Sequence, residues 1–261
     1  MNITEKMEKL QNILKGYEKV CVAYSGGTDS DFLLNVAART LGNNAIAVIV
    51  QGKNVAAKDI ADAVRLGNNT GVRVFLETAD VFSVDEFRNN IKERCYYCKK
   101  AIMGTILKKA AEEGFNLIAD GKNVDDAKHY RPGAKAAEEI GIISPLYEAG
   151  FTKAEIRQAS KELGLETWNK ASNSCLATRF PYNTVLTEEG FSMVERAEKL
   201  IADMGIPSGR VRVHGDIARI EMPKQYFAQF INNESIVPSI KEIGFKYITL
   251  DLEGFRSGSM D

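Results

Sequence analysis

At 261 residues, 44% of them hydrophobic and 26% charged, the chain can bury a full core without disulfides or a metal staple, in one large domain or two smaller ones. A net charge of -1 counts against a protein whose main task is to grip a polyanion with a broadly basic face, so a nucleic-acid partner is not expected. No apolar stretch has transmembrane length, and residues 1–18 read as an amphipathic helix rather than a signal peptide, which predicts a cytoplasmic protein with no membrane partner.

Apolar runs of strand length occupy residues 20–24, 45–50, 72–76 and 117–120, and helical spacing fills 31–41, 56–70 and 95–113 between them. Near-continuous apolar strands alternating with helices predict an α/β fold, a parallel sheet covered on both faces, with ligands at the carboxyl ends of its strands. Thr152-Lys-Ala-Glu155 is a capping box that opens a helix over 153–163, which Gly164 stops. Periodicity is lost over 168–184. A helix over 187–204, strands at 210–213 and 218–221, a helix over 224–231 and a strand at 247–250 then predict a small α+β domain. The expected boundary places residues 1–176 in the first domain and 177–261 in the second.

The loop Ser25-Gly26-Gly27-Thr28-Asp29-Ser30 directly follows the first strand. Two glycines let backbone N–H groups approach an anion, and the next helix adds its N-terminal N–H groups and positive dipole end. Ser25, Thr28 and Ser30 bring hydroxyl donors, and Asp29 suits Mg2+. A plain glycine turn with a helix cap is the alternative reading. The six residues together resemble the PP-loop of the N-type ATP pyrophosphatases, which split ATP into AMP and pyrophosphate to adenylate a substrate.

Cys95 and Cys98, in Arg94-Cys95-Tyr96-Tyr97-Cys98-Lys99, stand one helical turn apart. Cys175 lies in the aperiodic loop, near Arg179, whose charge favours a thiolate. Cys21 falls inside the first strand and reads as a core residue. The Cys95/Cys98 pair suits a redox couple or half of a zinc site, but with only His129 and His214 available the zinc site lacks completion. Three thiolates with one open position suit an iron–sulfur cluster.

The segments Asp120-Gly-Lys-Asn-Val-Asp-Asp126, Tyr130-Arg-Pro-Gly133, Ser144-Pro-Leu146, Thr152-Lys-Ala-Glu-Ile-Arg157, Ser174-Cys-Leu-Ala-Thr-Arg179 and Asp251-Leu-Glu-Gly-Phe-Arg-Ser-Gly-Ser259 extend the resemblance across nearly the whole chain. Together they resemble the LarE family. That family converts a carboxylate of a pyridinium dicarboxylate mononucleotide to a thiocarboxylate, a step toward the nickel-pincer cofactor, and its members form oligomers.

The resemblance implies ATP contacts from Ala23, Tyr24, Ser25, Gly26, Gly27, Asp29, Ser30, Val50, Gly121, Asn123 and Asp125. It implies catalytic roles for Cys175, Lys99 and Arg179, with Lys99 near the α-phosphate, and substrate contacts from Arg131, Arg212 and Arg256. Asp126, Glu221, Asp251 and Glu253 are charged neighbours with metal, phosphate or plain surface roles open to them. The implied cofactors are ATP, Mg2+ and a [4Fe–4S] cluster on Cys95, Cys98 and Cys175, fed by a sulfide donor in a homo-oligomer. The family's other route takes the sulfur from Cys175 itself and leaves dehydroalanine. Rival activities are tRNA thiolation, amide-forming ligation and AMP-binding regulation without turnover.

Overall fold

The strand β1 (Val20–Ala23) is the centre of the first sheet because both of its faces are apolar: Val20 and Val22 enter one core, Cys21 the other. It pairs in parallel with β2 (Ala45–Gln51), which pairs with β3 (Arg73–Thr78), and on its other side with the two-residue β4 (Ile118–Ala119). The order is β3-β2-β1-β4. The computed structural model describes residues 1–128, 132–170, 174–256 and 258–260. The chain divides into two compact units, Met1–Val84 with Glu93–Asn173 and Asp85–Lys92 with Ser174–Asp261.

In the first unit, α1 (Ile3–Tyr17), α2 (Thr28–Leu41) and α3 (Ala57–Asn68) contribute to the core on the Val20/Val22 face. The chain then contributes α4 (Asp85–Arg88) to the second unit and returns as α5 (Arg94–Glu112), whose Met103, Ile106 and Ala110 cover Cys21, Ile46 and Val48 on the opposite face. After β4 come α6 (Pro132–Ile140), α7 (Pro145–Ala149) and α8 (Lys153–Glu162). The Thr152 capping box is formed, with Thr152 accepting from the Glu155 N–H and Glu155 accepting from the Thr152 N–H. Helices on both faces of a parallel sheet fulfil the α/β expectation. The connection from β1 goes to β2, whereas β4 lies on the other flank of β1, so the carboxyl ends of β1 and β4 border a topological switch point, where open α/β sheets bind ligands.

In the second unit, β5 (Arg210–His214) runs antiparallel to β6 (Ile217–Glu221), which is parallel to β7 (Tyr247–Leu250). α9 (Glu188–Asp203) and α11 (Ile236–Ile243) pack on this mixed sheet through Ala197, Ile201, Ile236 and Ile240. The helix expected over 224–231 is a 3-10 turn, Lys224–Tyr226, followed by the short α10 (Phe227–Ile231). α4 joins this unit through Phe87, which meets Phe191 edge-on, and through buried Asn90, whose amide donates to the carbonyls of Phe180 and Pro181. Among the described residues, no helix is long and apolar enough to cross a membrane.

Candidate functional site

The PP-loop leaves β1 at Ala23 and is fixed at its start by Tyr24, whose N–H donates to Val48 O at 3.0 Å. The buried Tyr24 hydroxyl donates to Asp31 at 2.8 Å, and the other Asp31 oxygen accepts from Thr167 at 2.6 Å. Burial, with the Asp31 charge second, raises the Tyr24 pKa and keeps the hydroxyl a donor. Gly26 sits at φ +67°, and a Cβ there would meet Ala63 Cα and Cβ at 2.8 Å, so both conformation and space require glycine. Gly27 is the N-cap of α2 and supplies no side-chain cap, which leaves the helix end suited to an anion. The loop closes on the Ser30 hydroxyl, which donates to Gly27 O at 3.1 Å, accepts from Ser25 N at 3.3 Å and lies 3.1 Å from Ser25 Oγ.

The loop after β4 lies against the PP-loop because residue 121 is glycine: a Cβ there would be 2.9 Å from Ser30 N and 3.1 Å from the carbonyl carbon of Asp29. Asp120 organises this segment, accepting from Lys122 N at 3.1 Å and Ser144 Oγ at 2.8 Å. Buried Asn123 accepts from Asp125 N at 2.9 Å, and its own N–H donates to Asp126 at 3.1 Å. Asp125 accepts from Lys153 N at 2.9 Å at the start of α8, so here it caps a helix. Lys153 in turn places its ammonium 2.7 Å from both Asp29 oxygens. Burial raises the Asp29 pKa, and Lys153 opposes that rise. Ala23 and Val50, at the carboxyl ends of β1 and β2, are half-buried against the α5-side core.

Cys95 and Cys98 occupy the first turns of α5, Cys95 exposed and Cys98 buried. The amide of buried Asn54 donates to Cys98 Sγ at 3.9 Å. The first turn of α6 approaches here, since a Cβ on Gly133 would lie 3.5 Å from Cys95 O and 3.8 Å from Lys99 Cβ. Burial lowers the Lys99 pKa, and the charges of Asp120 and Cys98 oppose it. Two thiols one turn apart at a helix start match the soft donor chemistry of a cluster. Cys21 is buried, and burial pushes its thiol up to about 12, which suits a core residue and not a ligand.

In the second unit, Cys175 is half-buried and precedes a 3-10 turn, Leu176–Arg179. Arg179 builds this loop. Its Nη1 donates to Ser174 O, Ser174 Oγ, Cys175 O and Thr178 Oγ1 at 2.7–3.2 Å. Its Nε and Nη2 form a two-point pair with Glu198 at 2.8 and 3.0 Å. Arg212 donates to Thr178 O at 2.9 Å and to fully buried Glu221 at 2.9 and 3.1 Å. Both guanidiniums, Arg179 expected in a catalytic role and Arg212 in substrate contact, are thus engaged by protein acceptors that shape the Cys175 loop. Arg256 is exposed and pairs with Asp251 at 3.4 Å and Glu253 at 2.7 Å. Arg131 and His129 lie outside the described residues. Among the described residues, no group of three or more His, Cys, Asp or Glu side chains is arranged to hold a metal ion.

No protein-family model matches the chain. It is 38% identical over 261 residues to the pyridinium-3,5-bisthiocarboxylic acid mononucleotide synthase of Lactiplantibacillus plantarum, covering 99% of this chain and 95% of that protein. The chain belongs to the LarE family. It is also 36% identical to an uncharacterised protein of Synechocystis, over 99% of this chain and 98% of the relative, and 28% identical to one of Methanocaldococcus jannaschii, over 98% and 100%.

Several side chains of this LarE-family site belong to no site motif in the sequence. Lys153 was visible only as part of a capping box. A lysine at the first position of a helix opposes the macrodipole, and that mismatch was the available sign of an anionic partner. Lys170, which donates to Gly26 O at 3.0 Å, and Thr167, which bonds Asp31, left no comparable trace.

Proposed function

We propose that this chain uses ATP to adenylate a carboxylate of a nucleotide-like small molecule, a pyridinium dicarboxylate mononucleotide, and converts it to a thiocarboxylate. The observation that carries the reading is the uncapped start of α2 beside the β1–β4 switch point, wrapped by Gly26, Gly27 and Ser30 and approached by Gly121. The Lactiplantibacillus relative, a pyridinium-3,5-bisthiocarboxylic acid mononucleotide synthase, supports the substrate class.

In the first step a carboxylate oxygen attacks the α-phosphorus of ATP. The bond to the bridging oxygen breaks, and pyrophosphate leaves with the electron pair. The PP-loop and the α2 terminus hold the departing phosphates, Asp29 would hold Mg2+, which would supply charge neutralisation there, and Lys99 stabilises charge at the α-phosphate. Ala23, Tyr24, Val50, Gly121, Asn123 and Asp125 are the further ATP contacts that the family resemblance implies. In the second step a sulfur nucleophile attacks the acyl carbon and AMP leaves. A [4Fe–4S] cluster on Cys95, Cys98 and Cys175 would supply that sulfur as sulfide. The alternative donor is Cys175 itself: its thiolate forms a thioester, loss of the Cα proton breaks the Cβ–S bond, and dehydroalanine remains. Arg179 and Arg212 hold the Cys175 loop in shape for either route.

The test is exchange of labelled pyrophosphate into ATP, with and without the dicarboxylate mononucleotide. Substrate-dependent exchange and a thiocarboxylate product are expected. A protein that binds ATP but exchanges no pyrophosphate is an AMP-type binding protein instead, and a salt-sensitive shift of tRNA would favour a thiolase.

A further inference from the structure

Lys170 plays no part in the chemistry above, yet it is held where it acts on the PP-loop. It follows a short turn, Glu166–Asn169, that is tied down at several points. Thr28 Oγ1 donates to Thr167 O at 2.7 Å, Thr167 Oγ1 donates to Asp31 at 2.6 Å, and Arg65 makes a two-point pair with Glu166 at 2.9 and 3.0 Å. Arg157 then donates to Lys170 O at 3.1 Å, and the Lys170 N–H donates to Thr167 O at 3.0 Å. With its backbone held at both ends, Lys170 lays its ammonium 3.0 Å from the carbonyl oxygen of Gly26.

That carbonyl shares one peptide group with the N–H of Gly27. In a trans peptide the two dipole ends point in opposite directions, so fixing the oxygen fixes the direction of the N–H. A cation on the oxygen also polarises the peptide and strengthens the N–H as a donor. Gly26 has neither a side chain nor an ordinary backbone conformation to hold this orientation by itself, since it sits at φ +67°. We infer that Lys170 is a positioning residue that sets the affinity of the PP-loop for the polyphosphate of a nucleotide, by orienting and polarising the Gly26–Gly27 peptide. The inference rests on the proposed use of ATP.

The experiment is calorimetric titration of the full chain with ATP and, separately, with inorganic pyrophosphate. Lys170→Met is expected to weaken both by about tenfold, the scale of a hydrogen bond to a charged group, with an unchanged thermal unfolding midpoint. Lys170→Arg, which keeps the charge, is expected to recover most of the loss, and pyrophosphate exchange should show the Met variant raising the KM for ATP more than it lowers kcat. If Lys170→Met does not fold, Lys170→Gln is measured in the same way. A wild-type chain that binds neither probe overturns the ATP reading and this inference with it. A wild-type chain that binds both, with Lys170→Met equally tight or Lys170→Arg equally weak, overturns the inference alone.

Discussion

Lys153 Nζ lies 2.7 Å from each carboxylate oxygen of Asp29, joining the first residue of α8 to the PP-loop 124 residues earlier. The pair controls when Asp29 is charged. Burial favours the neutral acid and Lys153 favours the carboxylate. In the proposed use of Mg·ATP a proton and Mg2+ would compete for the same oxygens, so Mg·ATP binding is expected to weaken as pH falls through the Asp29 pKa. Removing Lys153 raises that pKa further. Lys153→Met should therefore move the acid limb of Mg·ATP binding to higher pH, and Asp29→Asn should remove the limb. A pH series of binding isotherms decides it, and an unmoved limb in Lys153→Met would detach the pair from nucleotide binding.

The two loop glycines should fail in different ways. A methyl on Gly26 would meet Ala63 at 2.8 Å in a left-handed backbone. Gly26→Ala should destabilise the fold by about 2–4 kcal/mol, combining left-handed strain with overpacking. Gly27 has an ordinary φ of -83°, and the nearest atom to a Cβ there is Ser25 Oγ at 3.4 Å. Gly27→Val should fold but lose ATP binding, because the side chain fills the space left for phosphate. Denaturant unfolding and calorimetry on both variants separate the cases, and a folded Gly27→Val with normal ATP affinity would refute the cradle.

The contrast between these glycines and Lys170 marks what the sequence made legible. The strands of the first sheet stood out because β1 and β2 are apolar on both faces, which leaves an unbroken run. The loop was readable because its glycines and hydroxyls are contiguous. The pattern of α11 is interrupted by Pro238, so the sequence does not signal this helix, although proline is tolerated in a first helical turn. The membership of residues 85–92 in the second unit rests on Asn90 bonding carbonyls 90 and 91 positions away. Lys153 and Lys170 meet the loop across 124 and 144 residues. Such pairings are set by how the sheet brings loops together, and no local periodicity records them.

Lys99 provides a pH test of adenylation. In the proposed role its ammonium would act only while protonated, and burial lowers its pKa, so the rate should fall on the alkaline side earlier than for an ordinary lysine. Lys99→Arg should carry activity to higher pH, because guanidinium stays charged. Lys99→Ala should slow pyrophosphate exchange by about 10²-fold or more while ATP affinity changes less. Wild-type exchange rates in Lys99→Ala would leave Lys99 as a packing residue of α5.

The sulfur source separates the two proposed routes, and Cys95 is the position that discriminates them most cleanly. Its side chain is exposed on the first turn of α5, so Cys95→Ala should cost little stability, within about 0.5 kcal/mol for a surface change. A sacrificial enzyme needs only Cys175, and the same variant would then transfer sulfur normally. A cluster enzyme needs Cys95, Cys98 and Cys175 together, so Cys95→Ala should abolish sulfur transfer and spare pyrophosphate exchange. The cluster route is the expected one. Anaerobically prepared protein should then carry about four irons and matching sulfide per chain and turn over repeatedly with supplied sulfide, with its mass unchanged once the cluster is stripped. Single turnover, a mass loss of about 34 Da and dehydroalanine at Cys175 would instead assign the sulfur to the protein's own cysteine.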